Sequence, residues 1–171
     1  MLAYIPHALV RYEGRPLRRI AIAFWGVAGV AAMLLEAEVR LARLAVEGLR
    51  ESGPLELGVA AVWSLANAYL EGYRGFQKRF VPQALDRAFS IDGRSKLEVL
   101  LAPLKVLGVW RTDAKVMRRA WIMVVGISLL VLAVKQLPQP WRGVVDAGVV
   151  VGLGWGTVAL LVGLVVRLQK R

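Results

Sequence analysis

Residues 54–80 read PLELGVAAVWSLANAYLEGYRGFQKRF. Pro54 suits the first turn of a helix, and the residues after it form an apolar run. The end of the stretch is charged, and no further proline separates the two parts. Asn67, Glu71, Arg74 and Lys78 follow one another at spacings of four, three and four, which puts all four on one face of an α-helix. The stretch predicts a membrane span over 55–73 that leaves the bilayer as a charged helix. That polar stripe, with Tyr73 beside it, makes Asn67, Glu71, Tyr73, Arg74 and Lys78 the candidate polar site. Glu71 and Arg74 are spaced to pair, which lowers the cost of a charge near the membrane. Asn67, one turn deeper, needs an amide partner on another helix. Gly72 and Gly75 leave room for a backbone or a head group to approach.

The rest of the composition agrees with a bilayer. Of 171 residues, 57% are hydrophobic, and the mean hydropathy is +0.54. A soluble domain holds about 45–50% apolar residues. The net charge of +11 comes from 23 Lys and Arg against 12 Asp and Glu. In a soluble chain that excess would suggest nucleic acid, but no nucleic-acid-binding signature is present. In a membrane chain it reflects orientation and contact with anionic head groups. The absence of cysteine excludes disulfides, thiolate catalysis, iron–sulfur clusters and cysteine zinc sites. The single histidine, His7, reads as a surface residue and excludes multi-histidine metal sites. No P-loop, dinucleotide glycine pattern, H-E-x-x-H or G-x-S-x-G occurs. No metal and no cofactor is expected.

Working outward, residues 1–19 form an Arg-rich leader broken by Pro6, Gly14 and Pro16. A first span over 17–35 follows and reads as an uncleaved signal anchor. Residues 36–53 continue it as an amphipathic helix of mixed charge, expected near the outer surface, with Leu41, Leu44, Ala45 and Leu49 on one face. Ser52-Gly53-Pro54 is a stop and restart. Pro82 should end the second helix, and an amphipathic piece over 83–89 leads to a turn at 90–93. Ser95 and Glu98 match a capping box. The helix they begin, over 96–110, is too short to span. It is either interfacial and shallowly re-entrant, or packed beneath the bundle. Thr112-Asp113 can cap a third span over 119–137, and Leu137-Pro138-Gln139-Pro140 is a tight turn before a fourth over 143–166.

The expected fold is therefore all-α: one polytopic membrane domain of four transmembrane helices with amphipathic and interfacial helices. The loop 74–119 holds eleven Lys and Arg against four Asp and Glu. The positive-inside rule then places this loop and both termini in the cytoplasm, with the chain in the cell inner (plasma) membrane. Arg79, Lys115, Arg118 and Arg119 are expected to contact anionic lipid head groups. Gly148, Gly152 and Gly156 form a GxxxGxxxG ladder for close helix packing, either on helix one at Ala28 and Ala32 or on another subunit. Asp146 follows Arg142 by one turn and should pair with it. No carboxylate is expected halfway along a span. The expected partners are membrane lipids, with other membrane subunits or a second copy, and no nucleic acid. Two functions are carried forward. One is a non-catalytic accessory or assembly subunit of a larger membrane complex. The other is a small membrane enzyme or carrier for an anionic or amphipathic substrate, using Glu71 and Arg74.

Overall fold

The computed structural model describes residues 16–169. His7, most of the leader and the last two basic residues lie outside them. Every regular element among the described residues is helical. Helix α1 (Pro16–Arg50) is one unbroken helix of 35 residues, about 52 Å long. Its charged half does not lie flat at a surface. It continues along the bundle because charges do not break a helix and no Pro or Gly intervenes before Gly48. The chain turns at 51–53 and restarts at Pro54, with Gly53 extended as the N-cap.

Helix α2 (Pro54–Asn67) continues into a 13-residue π-helical segment (Ala68–Phe80), which continues into α3 (Val81–Phe89). Pro82 does not end this run. It occupies the first turn of α3, where its missing N–H costs no hydrogen bond. Val81, Ala84, Leu85, Ala88 and Phe89 are buried, the spacing of a helix with one apolar face. The expected helix over 96–110 is two short ones, α4 (Lys96–Leu100) and α5 (Ala102–Leu107), with Pro103 in the first turn of the second. Ser95 Oγ accepts from the Glu98 N–H at 3.1 Å, as the capping box requires. Gly108 ends α5 at φ +86°, a left-handed conformation that suits glycine. Helix α6 (Ala114–Val134) and helix α7 (Trp141–Gln169) complete the chain. Asp113 is the N-cap of α6 without a side-chain bond to it.

Three helices are long and apolar enough to cross a membrane: Leu17–Arg50, Ala114–Val134 and Trp141–Gln169. The expected second span, 55–73, is divided between α2, whose 14 residues are too few alone, and a polar π-helical segment. That composite helix nevertheless runs beside α7 in the same direction. The Trp63 indole N–H donates to the Val145 carbonyl at 3.2 Å. Further along, the Trp155 indole donates to Gln77 Oε1 at 2.8 Å, and Arg167 reaches Asp86 at 2.6 Å. Helix α1 runs the other way along α7, with Gly48 against Gly143 and Glu38 against Gly154.

The apolar core lies where α1, α3, α5 and α7 converge, with Val27, Val30, Ile91, Val106 and Leu160 fully enclosed. Helix α5 is lodged against the flank of α1: a Cβ at Gly26 would stand 2.9 Å from Val106 Cγ2, and one at Gly29 would strike the Pro103 ring. Arg87 ties α3 to α5 through the Val106 carbonyl at 2.8 Å, and burial lowers the pKa of its guanidinium. Helix α6 stands apart. Every residue over 121–133 is exposed.

One ion pair here gives a pH-dependent prediction. Lys105 Nζ lies 2.9 Å from Glu98 Oε1, with both side chains under one-fifth exposed. The lysine's hydrogen bond holds the Glu98 carboxyl below its ordinary value of 4.5. A depressed pKa contributes stability that is fully present above the ordinary value and lost as pH falls through the folded one. Amide exchange over 94–107 should therefore be independent of pH-driven opening above about 4.5 and accelerate below it. Glu98→Gln should remove that dependence, with a loss at neutral pH of about 1–2 kcal/mol. An unchanged acid response in the variant would assign the effect to other groups.

Candidate functional site

The polar residues gather around the middle of α7, whose central residue is Trp155. The π-helical segment explains which side chains reach it. Its hydrogen bonds close wider turns than those of an α-helix, so positions four and five apart share a face, where an α-helix aligns three and four. The face turned to α7 follows spacings of four and five: Asn67, Glu71, Gly72, Phe76 and Gln77. A Cβ at Gly72 would stand 2.7 Å from Trp155 Cβ and Cγ. Asn67 is buried; its Nδ2 donates to the Trp63 carbonyl at 2.9 Å and lies beside Gly148.

The expected stripe is accordingly split. Glu71 lies beside Gly152, where an added Cβ would come within 3.1 Å of its Oε2, yet the residue remains exposed. Arg74 is exposed and makes no ion pair with Glu71 among the described residues. Tyr73 stacks on Tyr69 with centroids 6.0 Å apart, and Lys78 Nζ sits 5.2 Å from the Tyr73 centroid. The Tyr73–Lys78 separation is again five. The structure thus joins Tyr73 to Lys78 and leaves Glu71 and Arg74 apart.

The glycine ladder faces the composite second helix and not Ala28 and Ala32 of α1. Gly148 meets Trp63 and Asn67, Gly152 meets Glu71, and Gly156 meets the Phe76 ring. Each glycine makes room for larger side chains of the neighbouring helix.

Glu38 is the residue that sequence reading placed elsewhere. It was expected at the outer surface, but a Cβ at Gly154 would stand 2.9 Å from its Oε1. Two carboxylates, Glu38 on α1 and Glu71 on the π-helical segment, therefore approach α7 at its midpoint, where none was expected. Glu38 Oε2 and Thr157 Oγ1 are buried there without a hydrogen bond. The signal that could have found Glu38 is the absence of any helix breaker between the first apolar run and Gly48.

Among the described residues, no group of three or more His, Asp and Glu lies close enough to hold a metal ion. Arg142 and Asp146 pair at 3.7 Å, as their spacing predicts, but Asp146 is buried to 5% side-chain exposure. Arg79, Lys115, Arg118 and Arg119 are all exposed, the last three on the first turns of α6. Among the described residues, no Cys or His accompanies these groups. The midpoint belt can hold protons or polar contacts, and it can form a joint with another polar surface. Comparison of the chain with known protein families, with curated proteins and with solved structures finds no match.

Proposed function

We propose that this chain is a non-catalytic accessory or assembly subunit of a larger inner-membrane complex. The observation that carries this reading is the Glu36–Arg40 ion pair on α1. Its atoms are 2.6 Å apart, and the side chains are 71% and 73% exposed. Glu38, between them, packs on Gly154 near the middle of α7. The pair therefore faces outward beside an apolar helix that is long enough to cross a membrane. Facing hydrocarbon there, a charge costs about 2.5–3.5 kcal/mol on insertion scales. A polar surface of another chain removes that cost.

A four-span topology with both termini cytoplasmic fits the same packing. Only residues 51–53 join α1 to α2, and the composite helix then retraces the bundle to Asp86 beside Arg167. If α1 and α7 cross a bilayer, the composite helix crosses it as well. Helix α6, about 32 Å long, connects the two ends of the bundle. The basic 74–119 loop then lies in the cytoplasm with Arg79, Lys115, Arg118 and Arg119 at anionic head groups.

Purification of the full chain from its host in a mild detergent, followed by native mass measurement, tests the subunit reading. A stoichiometric partner chain is expected. Replacing Glu36 and Arg40 together by Ala should reduce its recovery about tenfold while Glu71→Gln leaves it intact. A wild-type chain recovered alone, with a turnover that Glu71→Gln abolishes, would overturn the reading in favour of a small enzyme or carrier.

A further inference from the structure

Arg18, near the start of α1, and Arg94 and Lys96, around the start of α4, are far apart in sequence but line one groove of about 440 Å³. That volume is within the range of small-molecule sites. The groove's other walls are apolar, formed chiefly by Ile22, Trp25 and Val99. The turn that brings the cations together is fastened at two points. Arg18 donates to the Gly93 carbonyl at 2.6 Å, and Arg19 pairs with Asp92 at 2.7 Å.

The nearby acids neutralise the site only in part. Asp92 is already engaged by Arg19, and it lies 3.4 Å from an Arg94 side chain that is 86% exposed. Glu98 is held by Lys105 at 2.9 Å and by the Arg94 backbone N–H at 3.0 Å. Arg18 is fixed by a carbonyl, which orients the guanidinium without cancelling its charge. Lys96 has no acidic partner among the described residues.

Polarity changes along the groove. Trp25 is two helical turns beyond Arg18, about 10 Å along α1. It is half-exposed, and its indole N–H is anchored on the Leu100 carbonyl at 3.4 Å. A cationic end followed by an apolar wall of that length matches an anionic head joined to a hydrocarbon chain. We propose that this groove binds an anionic amphiphile of the phospholipid class, with its phosphate on Arg18, Arg94 and Lys96 and an acyl chain along Ile22 and Trp25. A free phosphate shares the head chemistry but leaves the apolar wall unused. The site is independent of whether another chain covers α1 further along.

The test is native mass measurement of the full chain in mild detergent, titrated with phosphatidylglycerol, with phosphatidylcholine of the same acyl length, and with inorganic phosphate. One phosphatidylglycerol per chain should be retained about tenfold more tightly than phosphatidylcholine. Arg94→Gln with Lys96→Gln should abolish that preference with the melting midpoint unchanged, and Lys96→Glu alone should weaken it. Inorganic phosphate at millimolar concentration should not displace the lipid. Equal retention of the two lipids would overturn the proposal, as would unaltered preference in the variants. Displacement by inorganic phosphate would overturn the amphiphile and leave a phosphate site.

Discussion

Gly143→Ala is expected to destabilise the folded chain by about 3 kcal/mol, and Gly48→Ala by a similar amount. These two glycines face each other where α1 crosses α7. A Cβ at Gly143 would stand 2.7 Å from Gly48 Cα, 3.0 Å from Gly48 C and 3.2 Å from Leu49 N. All three are backbone atoms, so no rotamer change relieves the contact and the helices must separate. Separation is costly in a bilayer because helix association there depends on close packing. Gly58→Ala and Gly126→Ala are the controls. Nothing lies within 4 Å of a Cβ at either position, and each should be neutral or stabilising by up to about 1 kcal/mol. The ladder glycines should fall between. A Cβ at Gly156 meets Phe76 Cγ at 2.5 Å and one at Gly152 meets Glu71, but both are side chains that can yield. Unfolding midpoints of the six variants in one detergent give the order directly. A Gly143→Ala chain as stable as Gly126→Ala would mean that the α1–α7 crossing is not formed as described.

That ranking separates what the sequence shows from what it does not. Hydropathy identifies α6 and α7 and the start of α1, because long apolar runs report a segment's own preference for lipid. Local chemistry marks the break at Ser52-Gly53-Pro54 and the Ser95 cap, since each depends on neighbours in the chain. Packing register depends on remote pairs and has no such local sign. GxxxGxxxG announces close approach but cannot say that Trp63, Glu71 and Phe76 are what approach. The backbone-to-backbone contact of α1 with α7, at Gly48 and Gly143, is outside the ladder altogether.

The candidate site was hidden for a related reason. Reading Asn67, Glu71, Arg74 and Lys78 as one stripe assumes 3.6 residues per turn throughout. The π-helical segment changes that period from Ala68 onward, so Gly72 and Gln77 turn inward and Arg74 does not. Long π-helices are rare, and no residue pattern in 68–80 requires one. Glu38 was obscured by its neighbours' charges, which suggest a surface when read alone. Its position near the middle of α7 follows only once Gly48 is set against Gly143.

Arg142→Met should cost about 3 kcal/mol, because it strands a buried charge. Asp146 is 5% exposed, and Arg142, at 25%, supplies its neighbouring cation at 3.7 Å. Neither Arg142 Nε nor Asp146 Oδ2 has a hydrogen bond, so charge alone joins these atoms. Removing the arginine leaves a largely buried carboxylate without its counter-ion on α7, close to the Gly48–Gly143 crossing. Taking away both charges is a different matter. A buried ion pair recovers little more than its own desolvation, and an apolar pair of similar size is often as stable. Arg142→Met with Asp146→Leu should therefore regain most of the loss, and a double-mutant cycle on detergent unfolding midpoints should show coupling above about 1 kcal/mol. Additive losses would show that the two residues act independently. In that case, the arginine's contribution would come from packing its stem.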